Sequence, residues 1–267
     1  MKGTDFVKLI DTTRCTACRG CQVACKQWNE MPGLRTRNRG SYQNPPDLEW
    51  NTWTLVRFQE HENGDGVLQW LFRKDGCMHC TDAGCVKVCP SGALFYTEFG
   101  TVGIDRTKCI GCKECLFACP FEVPKYDRAT DKVFKCDLCY TRLREGLLPA
   151  CVKSCPTGAL TFGAVDTMLK TAYARVEDLK QDGHPDANVY GDKFVGGTHV
   201  LYVLGEKPEI YDSLPQKPAV PLTVIAWKDF LKPLSLLAAG GVVLGSFLHY
   251  IIHGPKSPDE NGDRDAT

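Results

Sequence analysis

The sequence lacks an excess of charge of either sign. Lys plus Arg and Asp plus Glu stand at 32 each over 267 residues, which argues against a nucleic-acid partner and against charge-driven binding to an anionic membrane surface. It also lacks an apolar leader. "MKGTDFVKLIDTTRC" holds no hydrophobic export segment and no twin-arginine pair before the first cysteine. A disulfide-stapled secreted domain would be shorter and would follow such a leader, so that class is set aside. A nucleotide-cradling glycine loop, a Ser/His/Asp set and a paired-carboxylate constellation are missing as well. No site for chemistry on a substrate is expected.

What the chain does have is cysteine, 16 of them in four groups of four. The groups are Cys15, Cys18, Cys21 and Cys25; Cys77, Cys80, Cys85 and Cys89; Cys109, Cys112, Cys115 and Cys119; Cys136, Cys139, Cys151 and Cys155. Tetrahedral thiolates suit either four zinc ions or four cubane iron–sulfur clusters. The third group reads C-x2-C-x2-C-x3-C-P, the bacterial ferredoxin spacing, in which three cysteines wrap one cubane and the fourth leaves for its neighbour. Zinc ribbons pair separated C-x2-C knuckles and have no use for a terminal Cys-Pro. The spacing predicts four 4Fe–4S clusters. A zinc protein, which would be colourless when purified, is the alternative.

The segment "IDTTRCTACRGCQVAC" at residues 10–25 recurs as "IDRTKCIGCKECLFAC" from Ile104 to Cys119, every cysteine displaced by 94 positions. Between the second and third groups, "PSGALFYTEFGTVGIDRTKC" reads as strand, glycine turn, strand and cysteine loop, a complete ferredoxin-like connection. The fourth group ends in the same Cys-Pro-(Ser/Thr)-Gly-Ala-Leu phrase, yet no cysteine loop follows it; the matching "KLIDTTRC" stands near the start of the chain. The first group is therefore expected to complete the fourth. With fourth cysteines exchanged inside each module, one cluster takes Cys15, Cys18, Cys21 and Cys155, and its neighbour takes Cys136, Cys139, Cys151 and Cys25. In the inner module, one takes Cys77, Cys80, Cys85 and Cys119, and the other takes Cys109, Cys112, Cys115 and Cys89.

The expected fold is α+β, with two nested ferredoxin-like modules, a β-hairpin insertion and one C-terminal transmembrane helix. Residues 1–25 and 120–163 form the split outer module and 77–119 the inner one. The insertion at 26–76 carries "TWTLVRF" and "VLQWLF", separated by "HENGDG", which reads as a hairpin. Ahead of it runs a polar Pro/Gly-rich loop with Arg35, Arg37 and Arg39. It is read as a solvated loop, with partner docking the alternative. The cations inside the groups, Arg19, Lys87, Lys113 and Lys153, are candidates for tuning cluster potential. His79 is read as a residue beside a cluster or at the surface and not as a ligand, and Trp28 as apolar cover.

Residues 164–218 are expected to supply a helix stopping at Gly183, a strand at "THVLYVLGE" and a Pro-rich linker. The anchor is placed at 219–254 and a polar tail at 255–267. From Pro233 to Ile252 run 20 residues without a formal charge, enough for a helix to span the ~30 Å hydrocarbon core. Trp227 and Tyr250 are placed as interfacial anchors, and Gly241, Gly245, Ala238 and His249 share a small-residue stripe. His249 and His253, four apart, are not read as a haem pair, since one helix rarely supplies both sides of a haem. Lys217, Lys228 and Lys232 before the span against Lys256 and Arg264 after it lean towards a cytoplasmic cluster domain.

The four-group order, the phrase "CTACRGCQVACKQWNE" from Cys15 to Glu30 and the single C-terminal anchor resemble the electron-transfer β subunits of membrane-bound formate dehydrogenases. The cysteine pattern alone is shared with β subunits of dimethyl-sulfoxide reductase, polysulfide reductase and some hydrogenase complexes, which keeps those roles as alternatives. The tryptophan replacement that marks nitrate-reductase-type β subunits is absent, so the resemblance implies four 4Fe–4S clusters. It also implies a molybdenum- or tungsten-pterin catalytic α subunit and a cytochrome b γ subunit in the inner membrane. It further implies a cluster domain facing the periplasm, exported with its partner. That contradicts the lysine count, and the family expectation is preferred because an exported folded domain can override a few charges.

Overall fold

The computed structural model describes residues 1, 5–62 and 66–254, without the side chains of 228 and 229. The turn expected at 63–65 and the polar tail expected at 255–267 lie outside the described residues. In chain order the elements are β1 (Phe6–Asp11), α1 (Gly20–Trp28), β2 (Thr54–Glu62), β3 (Leu68–Gly76), α2 (Gly84–Lys87), β4 (Leu94–Tyr96) and β5 (Val102–Ile104). There follow α3 (Glu114–Ala118), β6 (Lys125–Asp127), β7 (Lys132–Phe134), α4 (Tyr140–Arg144), α5 (Ala150–Lys153), β8 (Leu160–Ala164) and α6 (Val165–Gln181). Last come β9 (Asn188–Tyr190), β10 (Val200–Leu204), α7 (Leu222–Ala226) and α8 (Lys232–His253). The chain divides into two compact units, Met1–Pro221 and the segment from Leu222 onward.

Two strand pairs carry the repeated sentence. β4 pairs antiparallel with β5, Leu94 opposite Ile104, and the Asp105 N–H donates to the Ala93 carbonyl at 2.7 Å. β8 pairs antiparallel with β1, Leu160 opposite Ile10, and the Asp11 N–H donates to the Ala159 carbonyl at 2.8 Å. Each Gly-Ala-Leu phrase thus pairs with an Ile-Asp phrase, once across a short turn and once across most of the chain.

β1 does more than its counterpart β5. It lies between β8 and β10 in a four-stranded sheet of order β8-β1-β10-β9, running parallel to β10. Strand alternation then splits the sheet's two faces. Val7, Leu9, Leu201 and Val203 point to α6 and meet its Val165, Ala172, Val176 and Leu179. Burial of such aliphatic side chains is worth about 1.5–3 kcal/mol each, and this contact holds the helix. The opposite face offers Ile10, Leu160, Val200, Tyr202 and Leu204, which pack around Cys21 and Cys151. α6 ends against an Asp182 cap, and Gly183 at φ +93° turns the chain away.

β2 and β3 pair antiparallel from Thr54 opposite Gly76 to Glu62 opposite Leu68. Asp75 accepts from Arg57 at 2.6 Å and from Arg73 at 3.3 Å, and Arg57 also reaches Asp47 at 2.7 Å. Asp47 in turn meets Lys125 of β6 at 2.7 Å, so the insertion is tied to the strand after the third cysteine group.

The Pro-rich stretch expected as a free linker is instead a strap closed onto the first unit. Leu214 and Val220 are buried, and the Tyr190 hydroxyl donates to the Pro215 carbonyl. Its apolar residues find cover while the prolines fix an extended path. In the second unit, α7 passes through a π-helical turn at Trp227–Leu231 into α8, which has Pro233 in its first turn. α8 is 22 residues long with mean hydropathy 1.8 over its apolar window and no buried residue, long and apolar enough to cross a membrane.

Candidate metal centres

Each cysteine loop bends at the same point. The residue before the second cysteine of every group is left-handed: Ala17 (φ +53°), His79 (+50°), Gly111 (+70°) and Leu138 (+58°). Such a backbone is uncommon outside glycine and persists only where the surroundings enforce it. The lead-in repeats as well. Asp11 accepts from the Thr13 N–H at 3.0 Å and its hydroxyl at 2.6 Å, and Asp105 does the same for Thr107 at 3.0 and 2.6 Å. The I-D-x-T phrase is therefore a strand end, an aspartate-capped turn and the entry to a cysteine loop.

These loops bring the thiols together across the chain. Cys15, Cys18, Cys21 and Cys155 line one small cavity. Cys77, Cys80, Cys85 and Cys119 line a second. Cys89, Cys109, Cys112 and Cys115 line a third. The remaining four are neighbours too: the charges of Cys136 and Cys151 act on both Cys25 and Cys139. Across the quartets, Cys151 acts on Cys21, Cys77 on Cys136 and Cys115 on Cys85.

Burial first, and then the charge of neighbouring thiolates, pushes Cys21 up to about 11 and Cys25 and Cys115 up to about 12. Burial likewise raises Cys119 to about 11, and raises Cys80, Cys85, Cys136 and Cys139. Thiols gathered in fours, most of them wholly or partly buried, can all ionise only around a positive centre, so the donor set fits a metal group bound by thiolates. Among the described residues, no three His, Cys, Asp or Glu side chains converge at the spacing of a single ion. A zinc ion needs sulfurs ~2.3 Å away, a spacing the described side chains do not present. The quartets fit a cubane better than zinc.

Of the cations expected near the clusters, Arg19 and Lys113 do line cavities. Lys87 is drawn into an ion pair with Asp82 at 2.6 Å, and Lys153 is exposed. Sequence reasoning missed the buried ones. Lys8, Lys74 and Lys135 are 1%, 3% and 1% exposed, far below the usual exposure of lysine. Burial alone would depress the Lys74 ammonium, but the thiolates of Cys151, Cys21 and Cys136 outweigh it and raise it. The only signal in the sequence was position: Lys74 stands three residues before Cys77, and Lys135 directly before Cys136.

One further expectation meets a different arrangement. Trp28 is half-exposed, its ring carrying the Arg142 guanidinium at 4.4 Å. The indole that packs with Cys25 and Cys136 is Trp53, placed there by the start of the hairpin. His79 is fully buried; its Nδ1 accepts from the Val102 N–H at 3.2 Å, its Nε2 has no partner, and burial lowers its pKa well below the usual histidine range.

Thiol quartets of this kind, seated on ferredoxin-like strand pairs, define a multicluster electron carrier. Residues 14–93 and 68–165 each match a family model described as a 4Fe-4S dicluster domain, and residues 220–262 match "Formate dehydrogenase N, transmembrane". The formate dehydrogenase iron-sulfur subunit of Haemophilus influenzae is 45% identical over 97% of this chain and 84% of its own length. The nitrate-inducible formate dehydrogenase iron-sulfur subunit of Escherichia coli is 44% identical over 98% and 90%. The formate dehydrogenase subunit beta of Megalodesulfovibrio gigas is 39% identical over 76% and 94%. The chain belongs to the family of formate dehydrogenase iron–sulfur subunits. Its role is electron transfer rather than catalysis, its cofactors are four 4Fe–4S clusters, and its C-terminal segment is a single-pass membrane anchor.

Proposed function

We propose that this chain relays electrons from a formate-oxidising molybdenum or tungsten subunit to a cytochrome b subunit in the inner membrane, with the cluster domain on the periplasmic side. Cys15, Cys18, Cys21 and Cys155 hold one cluster, and Cys25, Cys136, Cys139 and Cys151 the next. Cys77, Cys80, Cys85 and Cys119 hold a third, and Cys89, Cys109, Cys112 and Cys115 the fourth. Clusters bound there supply one-electron redox steps over the wide range of potentials such centres adopt. The inner module is thereby nested inside a split outer one.

The observation that carries this reading is the crosswise gathering of the thiols, supported by the twin pairings of Leu160 with Ile10 and of Leu94 with Ile104. The electrostatic influence of Cys151 on Cys21, of Cys77 on Cys136 and of Cys115 on Cys85 supports a single row of four quartets. Cys18 in the first and Cys112 in the last are exposed, which suits entry and exit at the two ends. Ile110 and Phe117, 63% and 80% exposed, flank Cys112 and offer apolar surface to a partner.

The test uses the assembled complex carrying Cys136→Ser, with assembly confirmed by gel. Formate-driven reduction of an artificial dye should continue, because dye takes electrons upstream, while formate-driven haem reduction should fall away. Haem reduction at the unaltered rate would remove this chain from the path. A complex driven by hydrogen, or turning over a sulfur or nitrogen oxyanion, would keep the conduit and change the partner.

A further inference from the structure

At the seam between the two modules lies a buried lysine that, among the described residues, pairs with no carboxylate. The Lys135 Nζ donates to the Val102 carbonyl at 2.6 Å and to the carbonyl of Cys136 at 2.8 Å. The same side chain lines the cavity of Cys77, Cys80, Cys85 and Cys119. It is 1% exposed, and among the described residues it forms no ion pair. The Val102 peptide that receives it is pinned from the other side, its N–H donating to His79 Nδ1 at 3.2 Å. Lys135 is thus fixed against one quartet while bonded to the backbone of a cysteine from the other. Cys77 and Cys136 mark that same seam, the charge of the first acting on the second.

A buried charge acts through a medium of low effective dielectric and is hardly screened by salt. Buried ammonium groups normally sit with a carboxylate; here the counter-charge available is that of the thiolate quartets. We propose that Lys135 is a positioning residue for electron transfer, a fixed cation that biases the clusters on both sides of the module seam towards their reduced states. The proposal rests on the ligand sets given under Proposed function. One electron leaves the cluster on one side and one arrives on the other, and no bond is made or broken.

The test is a potentiometric titration of the full complex followed by electron paramagnetic resonance, with each signal assigned by single Cys→Ser variants. Four signals of this chain, each lost when any cysteine of one quartet is changed to serine, establish the ligand sets independently of the lysine; fewer, or losses that cross quartets, would defeat that reading and leave Lys135 without an object. In Lys135→Gln, the two signals belonging to the Cys77 and Cys136 quartets should move to lower potential. The signals of the Cys18 and Cys112 quartets should stay, and the shift should survive a change from low to high salt. Lys135→Arg, which keeps the charge, should hold the two signals near their original potentials. The proposal is overturned if Lys135→Gln moves neither signal or moves all four alike, or if Lys135→Arg shifts them as far as Lys135→Gln. Should Lys135→Gln not assemble, the arginine variant decides alone: unmoved seam potentials support the fixed charge, and lowered ones contradict it.

Discussion

The left-handed residue ahead of each second cysteine is where one loop design meets four different surroundings. At Ala17 a Cβ is already present at φ +53°, so Ala17→Gly should leave its loop and cluster essentially as they are. Gly111 holds the same place in the third group, but a Cβ there would lie 2.4 Å from Asp131 Oδ1 and 2.5 Å from its backbone oxygen. Asp131 is also held by the Tyr126 hydroxyl at 2.5 Å, which limits its retreat. Gly111→Ala should cost about 1–3 kcal/mol through crowding and weaken the signal of the cluster assigned to Cys89, Cys109, Cys112 and Cys115. Thermal unfolding alongside cluster spectroscopy on the two variants checks this. Equal behaviour of both would mean that Asp131 yields and that glycine is not required at position 111.

Among the elements, the short helices after the cysteine loops pack closely enough to exclude a methyl group. A Cβ at Gly84 of α2 would lie 2.4 Å from the Ala118 carbonyl of α3 and 3.3 Å from Val220 of the strap. Because the nearest obstacle is backbone, Gly84→Ala should destabilise the first unit by about 1–3 kcal/mol and disturb the two inner-module clusters more than the outer pair. Unchanged stability would show that α2 and α3 can part freely.

How far such elements could be read beforehand depended on their contacts. The segments "TWTLVRF" and "VLQWLF" were legible through their β-branched and aromatic residues and the turn residues between them, and they lie largely in β2 and β3, although burial does not alternate regularly along either strand. The helix over 165–181 showed itself through Val165, Ala172, Val176 and Leu179, which recur at helical spacing. "VLYVL" is buried on every residue, so it has no alternation to reveal a face. Its parallel partner β1 lies some 190 residues away in sequence, Lys8 opposite Val200, and nothing local records that. The cysteine groups were legible because their spacing repeats within the sequence itself. Lys74, Lys135 and Trp53 were not, because their burial depends on a quartet assembled from distant segments.

At the scale of the molecule, Met1–Pro221 and the segment from Leu222 divide the work between cluster housing and anchoring. A chain expressed alone and ended at Pro221 should keep its cluster spectrum, since Val220 and the strap are retained, and should leave the membrane fraction. A truncated chain still recovered with membranes would place the anchoring elsewhere. The intact chain should yield about sixteen iron and sixteen acid-labile sulfide, as four 4Fe–4S clusters require. Stoichiometric zinc without sulfide would contradict the cofactor assignment. The central claim is that cysteines distant in sequence share a cluster, and Cys25→Ser tests it most directly. Electron paramagnetic resonance of this variant should lose the same signal that Cys139→Ser loses, while the signal removed by Cys18→Ser remains. Loss of the Cys18 signal with the Cys139 signal intact would mean that the first group closes on itself, and the nested arrangement would fall.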